Sequence, residues 1–446
     1  MRVRFWGTRG SIAKPGPTTL RYGGNTPCVE VEGSDGTLLI LDCGTGIHAL
    51  GQKLAASRKP PLQGHLLISH YHWDHIQGFP FFTPLFIPGN DWYIYGPGGM
   101  DHQLQAILAG QMTYSYFPIS LEEFGSSVHY HNLGEGAFDI GGLRISTQYT
   151  NHPALTLAFR VEAGGASFTY IPDHEPSSLF SFDNGGPGPM PLHLQDRRHV
   201  EFLKGSDLLA HDAQYTLQEY PSKVSWGHSP YEKTVEYAVA GGVKRLALFH
   251  HDPLRTDRDL DGLVGTAEKM AAKAGGGLEV MAAAEGWEIE LPEDPAWKPP
   301  PIPASCSAWL SGGGPKTGGT ILIVDDDPLM VRLLEKSLEA ENAVRLVTAH
   351  DGEAALKLAM KERPLLIILD WGLPKMDGIE VCRALRRNED TLFRKVPILM
   401  VTGKRLDEKD VQKCFDAGAS DYLTKKFSPT QLRSRVRSWL LRSASA

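Results

Sequence analysis

Ser69-His70-Tyr71-His72-Trp73-Asp74-His75 follows the apolar run Leu66-Leu67-Ile68, and this junction decides how the first half of the chain is read. Such a run reads as a short buried strand. Potential metal ligands then arrive in quick succession: His70, His72, Asp74 and His75. So dense a group of imidazoles and carboxylate cannot be buried without a cation to satisfy it. In an extended turn His70 and His72 point the same way, while Asp74 and His75 reach a neighbouring position. Mixed imidazole and carboxylate ligands suit zinc first, with manganese or iron as alternatives. The spacing His-x-His-x-Asp-His leaves room for two ions side by side, an arrangement that activates water between them. The bland alternative is a surface histidine cluster that binds nothing.

At 446 residues the chain is too long for one core, so two domains are expected. Apolar content of 41% and charged content of 22% are those of an ordinary globular protein. A net charge of −7 argues against a dedicated nucleic-acid surface, which carries a basic excess. Cys28, Cys43, Cys306, Cys382 and Cys414 are scattered, odd in number and form no Cys-x-x-Cys pair, which points to a reducing compartment. The N-terminus enters a strand directly, without a secretory apolar region. No run approaches the roughly 20 apolar residues of a membrane helix. A bacterial, cytoplasmic protein is expected.

Along the chain, Cys28-Val29-Glu30-Val31-Glu32 alternates with period two and predicts a half-buried strand. Leu38 to Leu41 is a buried strand ending in Asp42, which either orients a ligating histidine or caps the helix starting near Gly46. Most of Phe79, Phe81, Phe82 and Phe86 are expected in the core, and Met100 to Met112 has helical periodicity. Gly142 to Gln148 reads as a strand leading to His152-Pro153. Ser167 to Ile171 reads as another, ending at Asp173. A carboxylate between two dications offsets their repulsion, so Asp173 is the candidate bridge, with His174 and Glu175 as bystanders. Residues 176 to 198 read as a Gly/Pro-rich mobile loop. Pro230 to Ala240 is an amphipathic helix, and Val243 to Phe249 a strand that delivers His250 and His251. Neighbours on a strand point opposite ways, so only one of these two serves a given site.

The histidine motif resembles the signature of the metallo-β-lactamase superfamily, and the likeness runs from Arg4 to about Ile289. Phe5-Trp6-Gly7-Thr8-Arg9-Gly10-Ser11, Gly23-Gly24-Asn25-Thr26-Pro27-Cys28 and Leu41-Asp42-Cys43-Gly44-Thr45-Gly46 are similar to the branch of phosphodiesterases and tRNA 3′-processing nucleases. The resemblance implies an αββα sandwich. It implies His70, His72 and His152 around one ion, Asp74, His75 and His250 around the other, and Asp173 between them, with His251 the runner-up to His250. Asp74 then also belongs to the catalytic set. Asp212, in Ala210-His211-Asp212-Ala213, and His228, in Trp226-Gly227-His228-Ser229-Pro230, match an acid–histidine pair that protonates the leaving oxygen. The family usually has Glu where Asp212 stands and Thr where Pro230 stands. The alternative for the pair is helix capping. His72 separates the chain from oxygen-reducing diiron relatives, which carry Glu there, and no Cys near the motifs matches the second site of many zinc β-lactamases. The basic arm by which the tRNA nucleases grip tRNA has no counterpart here. A thioester hydrolase shares the full ligand set.

Pro292 to Gly319, with Pro299-Pro300-Pro301-Ile302-Pro303 and Gly312-Gly313-Gly314-Pro315, reads as a linker. Thr320 onward alternates strand and helix five times, the pattern of a doubly wound (βα)5 sheet with acids at strand ends. This part resembles the receiver domain of two-component response regulators. The likeness makes Asp370 the phosphoacceptor, Asp325 and Asp326 the Mg²⁺ ligands, and Thr402, Lys425 and Tyr422 the switch residues. Lys426 replaces the family's usual proline, so a cis bond there is not expected. A pseudo-receiver that is never phosphorylated is the alternative.

The reading is therefore an α/β protein with a hydrolase domain over 1–291, a linker over 292–319 and a receiver over 320–446. The expected activity is a dinuclear-metal phosphodiesterase on a nucleotide-like or cyclic-phosphate substrate, controlled by phosphorylation of Asp370. The alternatives are a thioester or lactone hydrolase, and a metal-binding signalling scaffold without turnover. The partners expected are a small phosphodiester, a sensor histidine kinase or phosphotransfer protein, and a second copy in a homodimer, with no membrane; nucleic acid is disfavoured by the charge and stays an open alternative.

Overall fold

The computed structural model describes residues 1–98, 104–177, 194–275, 277–294, 319–339, 344–403, 408–425 and 427–444, with isolated positions between 296 and 302. The chain divides into two compact units, one built on Met1–Pro176 and His199–Gly314 and the other on Pro315–Ala446.

The first unit opens with β1 (Arg2–Gly7), β2 (Cys28–Glu32), β3 (Leu38–Leu41), α1 (Gly46–Ser57), β4 (Gln63–Leu67), α2 (Trp73–Ile76), β5 (Asp91–Pro97), α3 (Leu104–Gln111) and β6 (Ser127–Leu133). β7 (Gly136–Ile140), β8 (Leu143–Tyr149), β9 (Leu157–Ala163), β10 (Ala166–Ile171), α4 (Leu194–Leu203), β11 (Leu208–Asp212), α5 (Tyr231–Ala240), β12 (Arg245–Phe249), α6 (Asp257–Ala274), β13 (Glu279–Ala282) and β14 (Glu288–Glu290) follow. They form two seven-stranded sheets, ordered β14-β1-β2-β3-β4-β5-β6 and β13-β12-β11-β10-β9-β8-β7. In each sheet antiparallel strands give way to parallel ones, from β3 in the first and from β10 in the second. Parallel neighbours end on the same side, so their loops collect there.

Period-two alternation explains the layers. Leu38, Ile40, Leu66, Ile68, Trp92 and Ile94 point one way and pack on Ile47, Leu50 and Leu54 of α1. Phe5 points the other way and meets Phe249 and Trp287 at 6.0 and 5.9 Å, while Tyr170 of β10 meets Phe249 at 5.4 Å. The two sheets thus face each other, with α1 outside the first and α5 and α6 outside the second. This is the αββα sandwich. Truncating a fully buried side chain such as Leu50 to Ala costs about 2–5 kcal/mol.

Several local expectations change. β2 is buried along nearly its whole length, because helix α1 covers the face that the alternation left polar. Glu30 Oε2 accepts there from Trp6 Nε1 at 2.9 Å and Lys53 Nζ at 3.4 Å, while Oε1 is buried without a hydrogen bond. Phe79 and Phe82 are core, while Phe81 is 55% exposed. The stretch read as a loop to residue 198 ends in helix α4 from Leu194 onward, and its 178–193 part lies outside the described residues. So do Met100 at the start of the predicted helix and most of the linker.

The second unit is one parallel sheet, ordered β16-β15-β17-β18-β19. Its elements are β15 (Gly319–Val324), α7 (Pro328–Leu338), β16 (Val344–Ala349), α8 (Gly352–Glu362), β17 (Leu366–Asp370), α9 (Gly378–Arg386), α10 (Thr391–Lys395), β18 (Ile398–Thr402), α11 (Glu408–Asp416), β19 (Asp421–Thr424) and α12 (Pro429–Ala444). Leu322, Val324, Ile367, Leu369, Ile398 and Met400 share a cluster with α8, α9 and α11, while α7 packs on α12. The sheet is therefore wound on both faces. The short α10, capped by Asp390, was not foreseen.

Candidate metal centre

Each predicted ligand sits where a strand stops. β4 ends at Leu67, and the chain runs extended through His72 before α2 presents Asp74 and His75 one turn later. β8 delivers His152, β10 delivers Asp173 and β12 delivers His250. The ligand atoms of His70, His72, His152 and Asp173 lie within 4.8 Å of one another, as do those of Asp74, His75 and His250. Asp173 joins the groups: Oδ2 is 3.5 Å from His70 Nε2, and Oδ1 is 3.2 and 3.4 Å from Nε2 of His75 and His250. All seven predicted side chains are brought together. His251 is not among them; its Nε2 donates to the Ala283 carbonyl at 2.8 Å.

A second layer fixes which nitrogen faces inward. Carboxylate and carbonyl oxygens only accept, so a ring nitrogen beside one must carry the proton. Nδ1 of His75 donates to Asp42 (2.8 Å), Nδ1 of His152 to the Gly227 carbonyl (2.9 Å) and Nδ1 of His250 to Gln214 Oε1 (2.9 Å). Their Nε2 lone pairs then converge on the centre. Ser69 Oγ donates to Asp42 and accepts from His70 Nδ1 at 3.1 Å, which does the same for His70. Asp42 thus orients a histidine and does not cap α1, whose cap position is Thr45. Ser11, Asp42 and His250 all hold positive φ, near 60°. Such backbone strain in non-glycine residues gathers at functional sites. The Ser11 amide uses it to donate to Asp74 Oδ2 at 2.7 Å.

His70 Nε2 and Asp173 Oδ1 are buried without a hydrogen bond. Burial and the neighbouring His75 push the His70 imidazole well below its ordinary value, and burial takes His152 down to about 3. Burial also disfavours charge on His75, but Asp173, Asp74 and Asp42 outweigh it and hold that ring well above its ordinary value. Imidazoles depressed by burial, an orphaned inward nitrogen on His70 and carboxylates seeking positive charge are together the donor set for divalent ions.

Beside this cluster His228 Nδ1 lies 3.1 Å from Asp212 Oδ2 and 3.8 Å from Asp173 Oδ2. Burial works against its charge, but Asp212 and then Asp173 raise the ring to about 9. Helix α5 begins beyond it with Pro230 as its cap residue, so neither Asp212 nor His228 is a helix cap.

In the second unit Asp325 follows β15, Asp370 ends β17 and Lys425 follows β19. Carboxylate oxygens of Asp325, Asp326 and Asp370 lie within 4.8 Å of one another. Lys425 Nζ bridges Asp325 Oδ2 at 2.9 Å and Asp370 Oδ1 at 2.8 Å. Thr402 is buried at the end of β18, and Tyr422 is half-buried against Phe415. Lys426 lies outside the described residues.

Residues 37–251 match the model of the beta-lactamase superfamily domain, and residues 321–437 that of the response regulator receiver domain. The chain joins a beta-lactamase superfamily domain to a response regulator receiver domain. The alkaline phosphatase synthesis transcriptional regulatory protein PhoP of Bacillus subtilis (strain 168) is 48% identical over 126 residues, 28% of this chain and 50% of PhoP. The chain spans about half the length of the curated relatives it matches. The metallo-beta-lactamase fold protein YhfI of Bacillus subtilis is similar at 18% identity, covering 65% of this chain and 98% of YhfI, with a TM-score of 0.45. The short form of human tRNase Z is similar at 21% identity, covering 66% of this chain and 100% of its own, with a TM-score of 0.43. Among the described residues no helix is long and apolar enough to cross a membrane.

Sequence reasoning missed several residues of the beta-lactamase superfamily domain. Gln214 had no signature beyond standing two residues after Asp212. Gly10 is required because a Cβ there would sit 2.4 Å from His250 Nδ1. Gly227, at φ +89°, would place a Cβ 2.1 Å from His152 Nδ1. Glu175, read as a bystander, accepts from Tyr220 Oη and from the amides of Ser225 and Gly227 at 2.7–2.9 Å. His174, read likewise, stacks on His199 at 3.9 Å.

Proposed function

We propose that the chain is a response regulator whose output is a dinuclear-metal phosphodiesterase, acting on a nucleotide-like or cyclic-phosphate substrate. In this reading His70, His72 and His152 hold one divalent ion and Asp74, His75 and His250 the other, with Asp173 between them and zinc the first candidate. When bound, the ions would neutralise charge on the phosphoryl oxygens and lower the pKa of the attacking water. Water adds to phosphorus, one P–O ester bond breaks, and the departing alkoxide needs a proton. His228 supplies it from Nε2 while Asp212 holds Nδ1 and stabilises the imidazolium. The observation that carries the choice of a phosphodiester over a thioester is this pair, His228 Nδ1 at 3.1 Å from Asp212 and beside Asp173. A thiolate leaves without such help; an alkoxide does not.

Control runs through the receiver. A sensor histidine kinase or phosphotransfer protein would phosphorylate Asp370 with Mg²⁺ held by Asp325 and Asp326. Lys425, Thr402 and Tyr422 would register the phosphoryl group, and contact or dimerisation would pass the signal on.

The test is hydrolysis of bis(p-nitrophenyl) phosphate and nucleoside cyclic phosphates by zinc-loaded protein. His72→Ala should lose activity on both together with bound metal. Asp212→Asn should keep its metal and lose about 10²–10⁴-fold on cyclic phosphates, whose leaving group is an alkoxide, but far less on the p-nitrophenyl ester. Equal rates in wild type and His72→Ala, or turnover confined to thioesters and lactones, would overturn the reading.

A further inference from the structure

We infer that the loop carrying His228 is also a stacking subsite, with Trp226 as the platform for a nucleobase or other planar aromatic arm of the substrate. This rests on the phosphodiesterase reading above.

Trp226 is 56% exposed although it stands two residues from His228. Single exposed apolar residues are common and need no explanation. Three observations set this one apart. The first is rigidity. Glu175 is buried, and its carboxylate takes Tyr220 Oη, the Ser225 amide and the Gly227 amide, so both ends of the loop are tied to one fixed group. The Trp226 amide donates to the Lys223 carbonyl at 3.0 Å, and the Lys223 amide to the Tyr220 carbonyl at 2.8 Å, closing the turns between. An aromatic residue on a backbone held this way needs no loop ordering on binding, which is what an aromatic anchor requires.

The second observation is charge. Lys223 Nζ lies 4.1 Å from the centre of the Trp226 ring and 5.7 Å from that of Tyr215. A cation on an aromatic face, beside a centre built for phosphoryl oxygens, suits a ligand that is planar and anionic at once.

The third is connection to the chemistry. Tyr215 stands edge-on to His228 with ring centres 5.9 Å apart. Gly227, next to Trp226, gives its carbonyl to His152 at 2.9 Å. A substrate arm on Trp226 would therefore stand beside the proton donor and one ligand histidine.

The experiment compares adenosine 2′,3′-cyclic phosphate with the base-free methyl riboside 2′,3′-cyclic phosphate on zinc-loaded full-length protein. Wild type should favour the nucleotide in kcat/KM by about five- to a hundredfold, the range of base–aromatic stacking. Trp226→Ala should collapse that ratio mainly through KM, and Trp226→Phe should keep most of it. A ratio unchanged in Trp226→Ala, or absent in wild type, would overturn the subsite. Calorimetric binding of adenosine 5′-phosphate against ribose 5-phosphate separates the two layers of inference. If wild type turns over neither cyclic phosphate, the phosphodiesterase reading fails. The subsite then stands only if a preference for the adenosine ligand disappears in Trp226→Ala, and falls if it persists or never existed.

Discussion

Two acid-bearing clusters, one per unit, solve the same electrostatic problem in opposite ways. In the receiver, Asp325 and Asp370 are buried beside each other, and Lys425 stands between them as a built-in counter-cation. Burial and then Asp370 still raise the Asp325 carboxyl, whose buried Oδ2 has no hydrogen bond and relies on the Lys425 ion pair. In the metal centre the ion pairs of Asp74 and Asp173 run to histidines, which are charged only if they take up protons. His70 Nε2 and Asp173 Oδ1 are left without a hydrogen bond. The receiver acids carry their own neutraliser in Lys425. On the proposed reading the histidine–carboxylate cluster leaves that role to bound cations.

Chelation tests this most strongly. A ligand at about a thousand times its Kd adds about 4 kcal/mol to the state that binds it. Removing the divalent metal from loaded protein with EDTA should lower the thermal transition of the first unit by on the order of 10 °C. Withdrawing Mg²⁺ should leave the receiver transition close to where it was. Calorimetry of the full chain reads both, and equal shifts would erase the contrast.

The contrast also explains what the sequence could tell. The receiver site was legible because one parallel sheet puts its strand ends side by side, so the acids after β15 and β17 meet by topology alone. The seven metal-centre side chains were legible for a related reason: each follows an apolar run that reads as a strand. Their supports were not. Gly227 acts through a backbone carbonyl, which has no residue signature. Glu175 acts through tertiary placement. Gln214 is a neutral amide, and its 2.9 Å bond to His250 depends on which way two chain segments meet. Asp42 was half legible, since a strand-end acid suits a cap and a histidine equally. α4 was missed because the Gly/Pro-rich run before it masked the helical signal that starts at Leu194.

The supports give a middle-sized test in which the two clusters should respond with opposite sign. Gln214→Ala releases the His250 tautomer and should weaken metal binding by about 10–100-fold, as outer partners of ligating histidines do. Lys425→Ala removes a positive charge from between Asp325 and Asp370 and should tighten Mg²⁺ binding in the receiver. Competition with a chelating dye reads the first, and calorimetric Mg²⁺ titration of zinc-loaded protein reads the second. Weakening in both would mean that Lys425 organises the acids more than it neutralises them.

The smallest effect concerns acid. His211 in β11 is fully buried; its Nδ1 donates to the Asp212 carbonyl at 2.7 Å, and its Nε2 meets His199 Nε2 at 2.8 Å. His199, His174 and Tyr237 surround it, and no carboxylate outweighs the burial that pulls it down to about 4. Its folded value lies below its ordinary 6.5, so the unfolded chain binds the proton first as pH falls. The stabilisation is present in full above pH 6.5 and is lost as pH falls toward 4. By pH 5.5 the loss through this residue is about 1.4 kcal/mol. The receiver holds a single histidine, His350, which is exposed. In metal-free protein, acidification from pH 7.5 to 5.5 should therefore lower the transition of the first unit and spare that of the receiver. His211→Asn, which keeps a donor for the Asp212 carbonyl, should flatten the first slope. An unchanged slope would show that His211 is not the group through which acid destabilises this sandwich, and would move the effect to other burial-depressed histidines, among them His65, His70, His152, His199 and His251.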